Sequence, residues 1–418
     1  SCIDYAKEQN ITIRKNRITA ASTQIDVKTA KAALFPSLSF STSQQVVNRP
    51  YQETSSRVSG SEIISSNSKT SYNGNYGLNA SWTLYNGNKR LKTIQQEKLN
   101  NQVAELDVAT SENNIQESIA QVYIQILYAA ESVKVNESTL QVSIAQRDRG
   151  QELLNAGSIA KSDFAQLEAQ VSTDRYQLVT AQATLEDYKL QLKQLLELDG
   201  ENEMNIYLPA LSDENVLAPL PTKKDVYIRA LSLRPEIEAS KLNVEASELG
   251  IGIAKSSYLP TISLSAGIGT NHTSGSDFTF GEQVKNGWNN SIGLSVSVPI
   301  FNNRQTKSAV QKAKLQYETS MLSLLDEQKT LYKTIEGLWL DANSAQQRYA
   351  AANEKLKSTQ ISYELISEQF NLGMKNTIEL LTEKNNLLQA QQEQLQAKYM
   401  AILNMQLLKF YQGDQLAI

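Results

Sequence analysis

Few residues in this chain have the type and spacing for covalent chemistry. There is one histidine, His272, and one cysteine, Cys2. His272 stands in a polar stretch, with no metal-ligand cluster and no nucleophile motif to join. Gly250 and Gly252 begin a glycine pattern, but the third glycine of a dinucleotide loop is absent and the surrounding spacing is helical. Cys2 has no intrachain partner, and with Ser1 before it an ordinary cysteine is expected rather than a lipid-bearing one. No cofactor, metal or enzymatic activity is expected. The 40 basic and 44 acidic residues are well mixed, for a net charge of −4, so there is no basic stripe for nucleic acid. What remains is physical chemistry: charges and amides in regular spacing beside water.

The elements that carry them repeat. Ala33, Leu34, Phe35, Pro36, Ser37, Leu38, Ser39 and Phe40 recur as Ser257, Tyr258, Leu259, Pro260, Thr261, Ile262, Ser263 and Leu264. Asn86 recurs as Asn302 and Gly157 as Gly373, both at an offset of 216, whereas Pro36 to Pro260 is an offset of 224. The loop between these motifs is therefore eight residues longer in the first half, as a duplicated fold with a variable loop tip would be. The first repeat spans 1–198: a helix, strands near 36–47 and 74–85, a long helix over 88–155, a tip at 157 and a return helix over 159–199. A linker with Pro209, Pro219 and Pro221 covers 199–222. The second repeat spans 223–418: a helix, strands near 260–270 and 290–300, a long helix over 302–371, a tip at 373 and a return helix over 375–411.

The strands alternate with period two. Leu38 and Phe40, then Tyr76, Leu78 and Trp82, form one apolar face in the first half. Ile262, Leu264 and Ile268, then Ile292, Leu294 and Val296, form it in the second. The opposite face is almost all Ser, Gly, Asn and Thr, which suits a wet lumen, and each strand has about the 9–11 residues that cross a bilayer at a tilt. A soluble sandwich with one buried face is the competing reading. No apolar run is long enough for a membrane-spanning helix, so strands must carry any crossing. Four strands cannot close a barrel, and an open edge is not tolerated in lipid. Two copies would supply eight strands and three copies twelve.

Between Gly87 and Gly150 there is no glycine, and between Pro50 and Pro209 no proline. Each long helix is about 100 Å by the usual rise. Apolar residues recur in 3-4 spacing, as in Ile335, Leu338, Ala342, Ala345 and Tyr349, and the same seam appears 216 residues earlier. Sustained heptads mean helices packed side by side in left-handed coiled coils. Asn155, Ala156, Gly157 and Ser158 form one hairpin tip, and Asn371, Leu372, Gly373 and Met374 the other.

These motifs resemble the TolC-type outer-membrane efflux proteins. The likeness is carried by Arg229 to Ile237, by Ala254 to Leu264, by the first helix from Cys2, and by both tips. It implies an α+β membrane protein. Each chain gives four strands to a trimeric 12-stranded outer-membrane barrel, continued by a long α-helical coiled-coil tunnel through the periplasm. The implied function is an exit duct of a tripartite efflux or type I secretion system in a Gram-negative outer membrane. The implied partners are two further copies, outer-membrane lipid, a periplasmic adaptor (membrane fusion protein) at the tips and, indirectly, an inner-membrane pump. Carried over residue by residue, Ser162 and Asp163 match the hydroxyl and acid of the family's gate, and Lys375 its arginine. Phe370 replaces a tyrosine, so that hydrogen bond is lost, and lysine for arginine loses bidentate geometry. An Asp163–Lys375 link between hairpins is the expectation. Glu379 matches an acidic ring of the lumen. Thr382 stands at the second ring position, with Glu383 beside it, one helical turn from Glu379.

Overall fold

The computed structural model describes residues 2–51, 55–59, 62–66, 69–199, 206–207, 216–276 and 278–416. Of the linker expected over 199–222, residues 200–205 and 208–215 lie outside the described residues. The described elements run α1 (Cys2–Gln9), α2 (Ile11–Ala32), β1 (Ser37–Asn48), β2 (Ser55–Ser59), β3 (Glu62–Ser66), β4 (Thr70–Asn86), α3 (Lys89–Asn155) and α4 (Lys161–Leu195). The second half continues with α5 (Lys223–Leu233), α6 (Pro235–Ser256), β5 (Thr261–Thr273), α7 (Phe280–Asn286), β6 (Asn289–Ser297), α8 (Gln305–Asn371) and α9 (Thr377–Tyr411). No helix among the described residues is long and apolar enough to cross a membrane.

Contacts divide the chain into two units. One comprises Ser1–Ala20, Ala104–Ser240 and Ser323–Ile418; the other comprises Ala21–Val103 and Lys241–Leu322. Each repeat contributes to both. In the first unit the duplication is visible in the packing itself. One core cluster holds Ala6, Ile119, Ile126 and Leu192, and another holds Ala230, Ile335, Ala342 and Leu408. Ala6 and Ala230 are separated by 224 residues, and each of the other three pairs by 216. Two hydrophobic cores are thus built from the same positions of two repeats. The expected single opening helix of each repeat is two helices, broken at Asn10 and at Arg234, again 224 apart. Asn10 caps α2 by accepting from the Thr12 amide at 2.9 Å, and its own amide donates to the Leu195 carbonyl at 3.1 Å.

The second unit contains a four-stranded antiparallel sheet in the order β1-β4-β5-β6. Strand lengths differ from the expected ten or so residues. Pairing continues to Asn48↔Thr70 and Asn73↔Thr273, so β4 has 17 residues and β5 has 13. The first loop carries the β2–β3 hairpin. The second carries α7, started by a capping box in which the Thr279 hydroxyl and the Glu282 carboxylate each take the other's backbone amide. The turns out of β4 and β6 need left-handed backbone. Gly87 and Asn88 have φ of 66° and 62°, and Asn303 and Arg304 have 51° and 65°. Only glycine fits at position 87, because a Cβ there would lie 2.7 Å from the Ser256 carbonyl.

The return helices start two residues later than expected, since Ile159–Ala160 and Lys375–Asn376 form the turn before them. The first also stops at Leu195 rather than 199. Glu197 turns left-handed there (φ 55°), as Gly413 does after α9 (φ 97°).

Candidate functional site

Two places can do the physical work implied by the elements: the faces of the sheet and the tips of the hairpins.

Register decides what the sheet can face. Leu38, Ala80, Ala266 and Ile292 are cross-strand partners in one row. Phe40, Leu78 and Ile268 form the next row, and Trp82, Leu264 and Leu294 another. Ile262 pairs with Val296 beyond a bulge at Thr83–Tyr85. Alternate rows are Ser39, Asn79, Gly267 and Ser291, then Ser37, Ser81, Ser265 and Gly293. Because side chains alternate between faces, one face is a largely apolar wall, interrupted by Asn290 beside Ile268, and the other is small and polar. The wall is bare within the chain: Ile292 is 83% exposed, Leu38 70% and Phe40 68%. Above it Tyr76 stacks on His272 (5.8 Å between ring centroids), and His272 meets Phe280 edge-on at 5.1 Å. The sole histidine is thus held in an aromatic stack. β1 and β6 each have one unpaired edge within the described sheet.

The tips are closed by backbone geometry. Gly157 and Gly373 have φ of +73° and +76°. The Ser158 amide donates to the Leu153 carbonyl at 2.8 Å, and the Met374 amide to Gln369 at the same distance, which ends each long helix in a left-handed turn. Asn155, Ala156 and Asn371 are exposed around them, and Leu372 and Met374 project into solvent. Ile361, Leu365 and Ile378 are also exposed along the second hairpin.

Behind the tips the expected gate residues have local partners. Asp163 accepts from its own helix start, the Ala160 amide, at 3.3 Å. Its repeat equivalent, Glu379, accepts from the Asn376 amide at 3.2 Å, while the Asn376 side chain takes the Glu379 amide at 2.9 Å. Lys375 pairs with Glu379 at 2.5 Å, one turn along the same segment, and not with Asp163. Ser162 is exposed, and Phe370 is buried, not displayed. Glu383 accepts from Ser362 at 3.1 Å, and Thr382 returns its hydroxyl to the Ile378 carbonyl. The structure therefore collects Lys375 and Glu379, and separately Ser362 and Glu383, within the second hairpin.

The Lys375 bond, followed by the Asn376 amide, holds the Glu379 carboxyl below its ordinary 4.5. A depressed carboxylate contributes stability above its unfolded pKa, and that contribution is lost as pH falls through the folded value. Acidification should therefore loosen the first turn of α9. A Glu379 titration followed by NMR should give a midpoint below 4.5, and Glu379→Gln should remove the acid-dependent rise in amide exchange at Thr377–Leu380. A midpoint at or above 4.5 would refute the assignment.

Sequence reasoning missed a second cluster. Asp174 of α4 and Lys384 of α9 form a buried ion pair, and Ser143 of α3 donates to the same Asp174 oxygen. Gln170 donates to the other oxygen at 2.8 Å and also reaches Asn385 at 3.3 Å. Burial pushes the Lys384 ammonium below its usual range, although Asp174 pulls it upward. The signal was available: each charge stands three residues after an apolar heptad position, Val171 or Leu381, where the seam calls for another apolar side chain.

Known proteins share the sequence pattern and the fold of this chain. The family model described as outer membrane efflux protein matches residues 2–197 and 226–413. Among curated relatives, outer membrane efflux protein BepC of Brucella suis is 24% identical over 69% of this chain and 60% of its own length. Outer membrane protein TolC of Escherichia coli is 23% identical over 72% of this chain and 62% of its own. The match thus spans about three fifths of these relatives. Among solved structures, the transmembrane channel CusC superposes with a TM-score of 0.83 at 19% identity, covering 99% of this chain and 91% of that one.

Proposed function

The chain belongs to the outer membrane efflux protein family, a family of channels rather than enzymes, and from that premise we propose that it is one subunit of a passive exit duct in a Gram-negative outer membrane. The observation that carries this reading is the sheet. It has one bare apolar wall, one small polar face and two open edges, a form that neither water nor lipid accepts in a single copy. In the assembled duct, β1 of one copy pairs with β6 of the next. Three copies close a 12-stranded barrel with the apolar wall toward lipid and the Ser, Gly and Asn face toward a water-filled lumen.

Unpartnered heptads support assembly through the helices as well. Ile11, Ile18 and Ile25 recur every seven residues and are exposed, as are Leu315 with Leu322. Two further copies would cover them. Cargo, whether drugs, small molecules or proteins, passes from an inner-membrane pump through a periplasmic adaptor that docks on the tips. There Leu372 and Met374 offer apolar contact, with Asn155, Ala156, Gly157, Ser158, Asn371 and Gly373 shaping the turns. The duct opens when its hairpins part. Lys375, Glu379 and Glu383, with Ser162 and Asp163 opposite, line the narrow end; Lys375 offsets Glu379, so the Glu383 carboxylates leave three copies with a net acidic ring that favours cations.

The test is reconstitution. Detergent-extracted protein should run as a trimer and conduct ions in planar bilayers, with cations preferred over anions. A water-soluble monomer that never inserts would sink the proposal.

A further inference from the structure

The seam between α4 and α9 contains a pair that packing alone does not call for. Asp174 and Lys384 are only 2% and 3% exposed, and the flanking positions Leu167 and Val171 of α4 and Leu380, Leu387 and Ala390 of α9 are buried too. Burial weakens the Lys384 charge more than Asp174 restores it. Two well-packed leucines would hold such a seam at least as firmly. The duplication does not produce the pair either. At the 216-residue offset, Asp174 corresponds to Ala390 and Lys384 to Glu168, so the charges belong to one junction and are not repeated. Three helices from both hairpins converge on one carboxylate: α3 through Ser143, α4 through Asp174 itself and α9 through Lys384.

We infer that Asp174 and Lys384 form a buried clasp between the first and second hairpins, making their separation all-or-none and setting how readily the tip opens. An apolar seam can slip by small steps. A dry ion pair cannot lengthen gradually, because each charge loses its partner before it gains water. Once the helices part far enough to admit water, both ions are solvated and their attraction is screened to a small fraction of its value in the dry seam. The clasp lies farther along the helices than the exposed tip residues and within a single chain. It rests on the reading of the hairpins as the moving part of a channel.

The test uses full-length trimers in planar bilayers, with assembly checked on native gels. Lys384→Met leaves a buried carboxylate without its cation, and Asp174→Asn leaves a buried ammonium without its anion. Each should raise time-averaged conductance by about tenfold or more. The double variant Asp174→Leu with Lys384→Leu keeps the seam packed, so it should conduct no more than the parent on average but pass through graded intermediate levels where the parent switches in single steps. Assembled single variants that conduct like the parent would overturn the clasp. So would a leucine pair that still switches in single steps, and this second comparison decides the matter alone where a single variant does not assemble. A parent protein that never conducts would instead overturn the channel reading itself.

Discussion

Replacing Leu264 and Leu294 together by aspartate should abolish outer-membrane assembly. The two residues are direct partners across β5 and β6, in the middle of the apolar wall. A charged side chain on the lipid face of a barrel near the midplane costs about 2 kcal/mol. Two substitutions in three copies place six carboxylates in lipid, roughly 12 kcal/mol in all, close to the whole stability of an ordinary domain. The paired aspartates also repel each other at cross-strand distance. The control is Ser263→Asp, one position along β5 and on the other face, opposite Ser295. It should assemble and alter only ion selectivity, since lumen substitutions tune conduction without meeting lipid. Trimer recovered from the outer-membrane fraction is the measurement. Normal recovery of the double variant would remove the barrel from the account and favour a soluble coiled-coil scaffold.

That contrast was legible in the sequence because strand alternation is a local property. The alternation of Ile262, Leu264 and Ile268 with Ser263, Ser265 and Gly267 needs no knowledge of the rest of the chain. The tips were legible for the same reason: Gly157 and Gly373 end uninterrupted heptads and take a backbone conformation that other residues resist. The charged cluster behind them was not. A lysine four residues before a glutamate has a partner within its own turn, so Lys375 meets Glu379 before any residue of another hairpin. A family motif names residue types, but nearest neighbours decide the pairing. Asp163 and Glu379 show this plainly. One was expected in a latch and the other in a ring, yet they occupy equivalent repeat positions and both accept the backbone amide at the start of their helix. The Asp174–Lys384 pair escaped for the opposite reason. It joins residues 210 apart, and only the packed helices bring them together.

Arg234 carries the other large expected effect, on stability. α5 ends at Leu233 and α6 begins at Pro235, and a proline disfavours helical backbone in the residue before it. Arg234 is accordingly extended (φ −75°, ψ 124°), and its guanidinium is buried beneath the junction. It donates to Glu117 of α3 at 2.7 Å, lies 3.7 Å from Glu236, and stacks on Tyr411 of α9 with its central carbon 3.6 Å from the ring centroid. Burial, followed by the charge of Glu117, pushes the Tyr411 hydroxyl up to about 12, so that ring stays neutral beneath the cation. One side chain therefore ties α3, the α5–α6 junction and α9 together. The equivalent junction of the first repeat relies on the neutral Asn10, so the helix break itself does not need a charge. What needs the charge is Glu117. Arg234→Met leaves that carboxylate and Glu236 without their cation and should cost about 3–5 kcal/mol. Arg234→Lys should cost less, keeping the charge while losing the fork and the stacking. Pairing Arg234→Met with Glu117→Met should recover much of the loss, because the penalty resides in the stranded charge and not in the missing contact. Unfolding midpoints of the detergent-solubilised trimer measure all three. A single Arg234→Met variant within about 0.5 kcal/mol of the parent would mean that water already reaches the junction and the clamp contributes little.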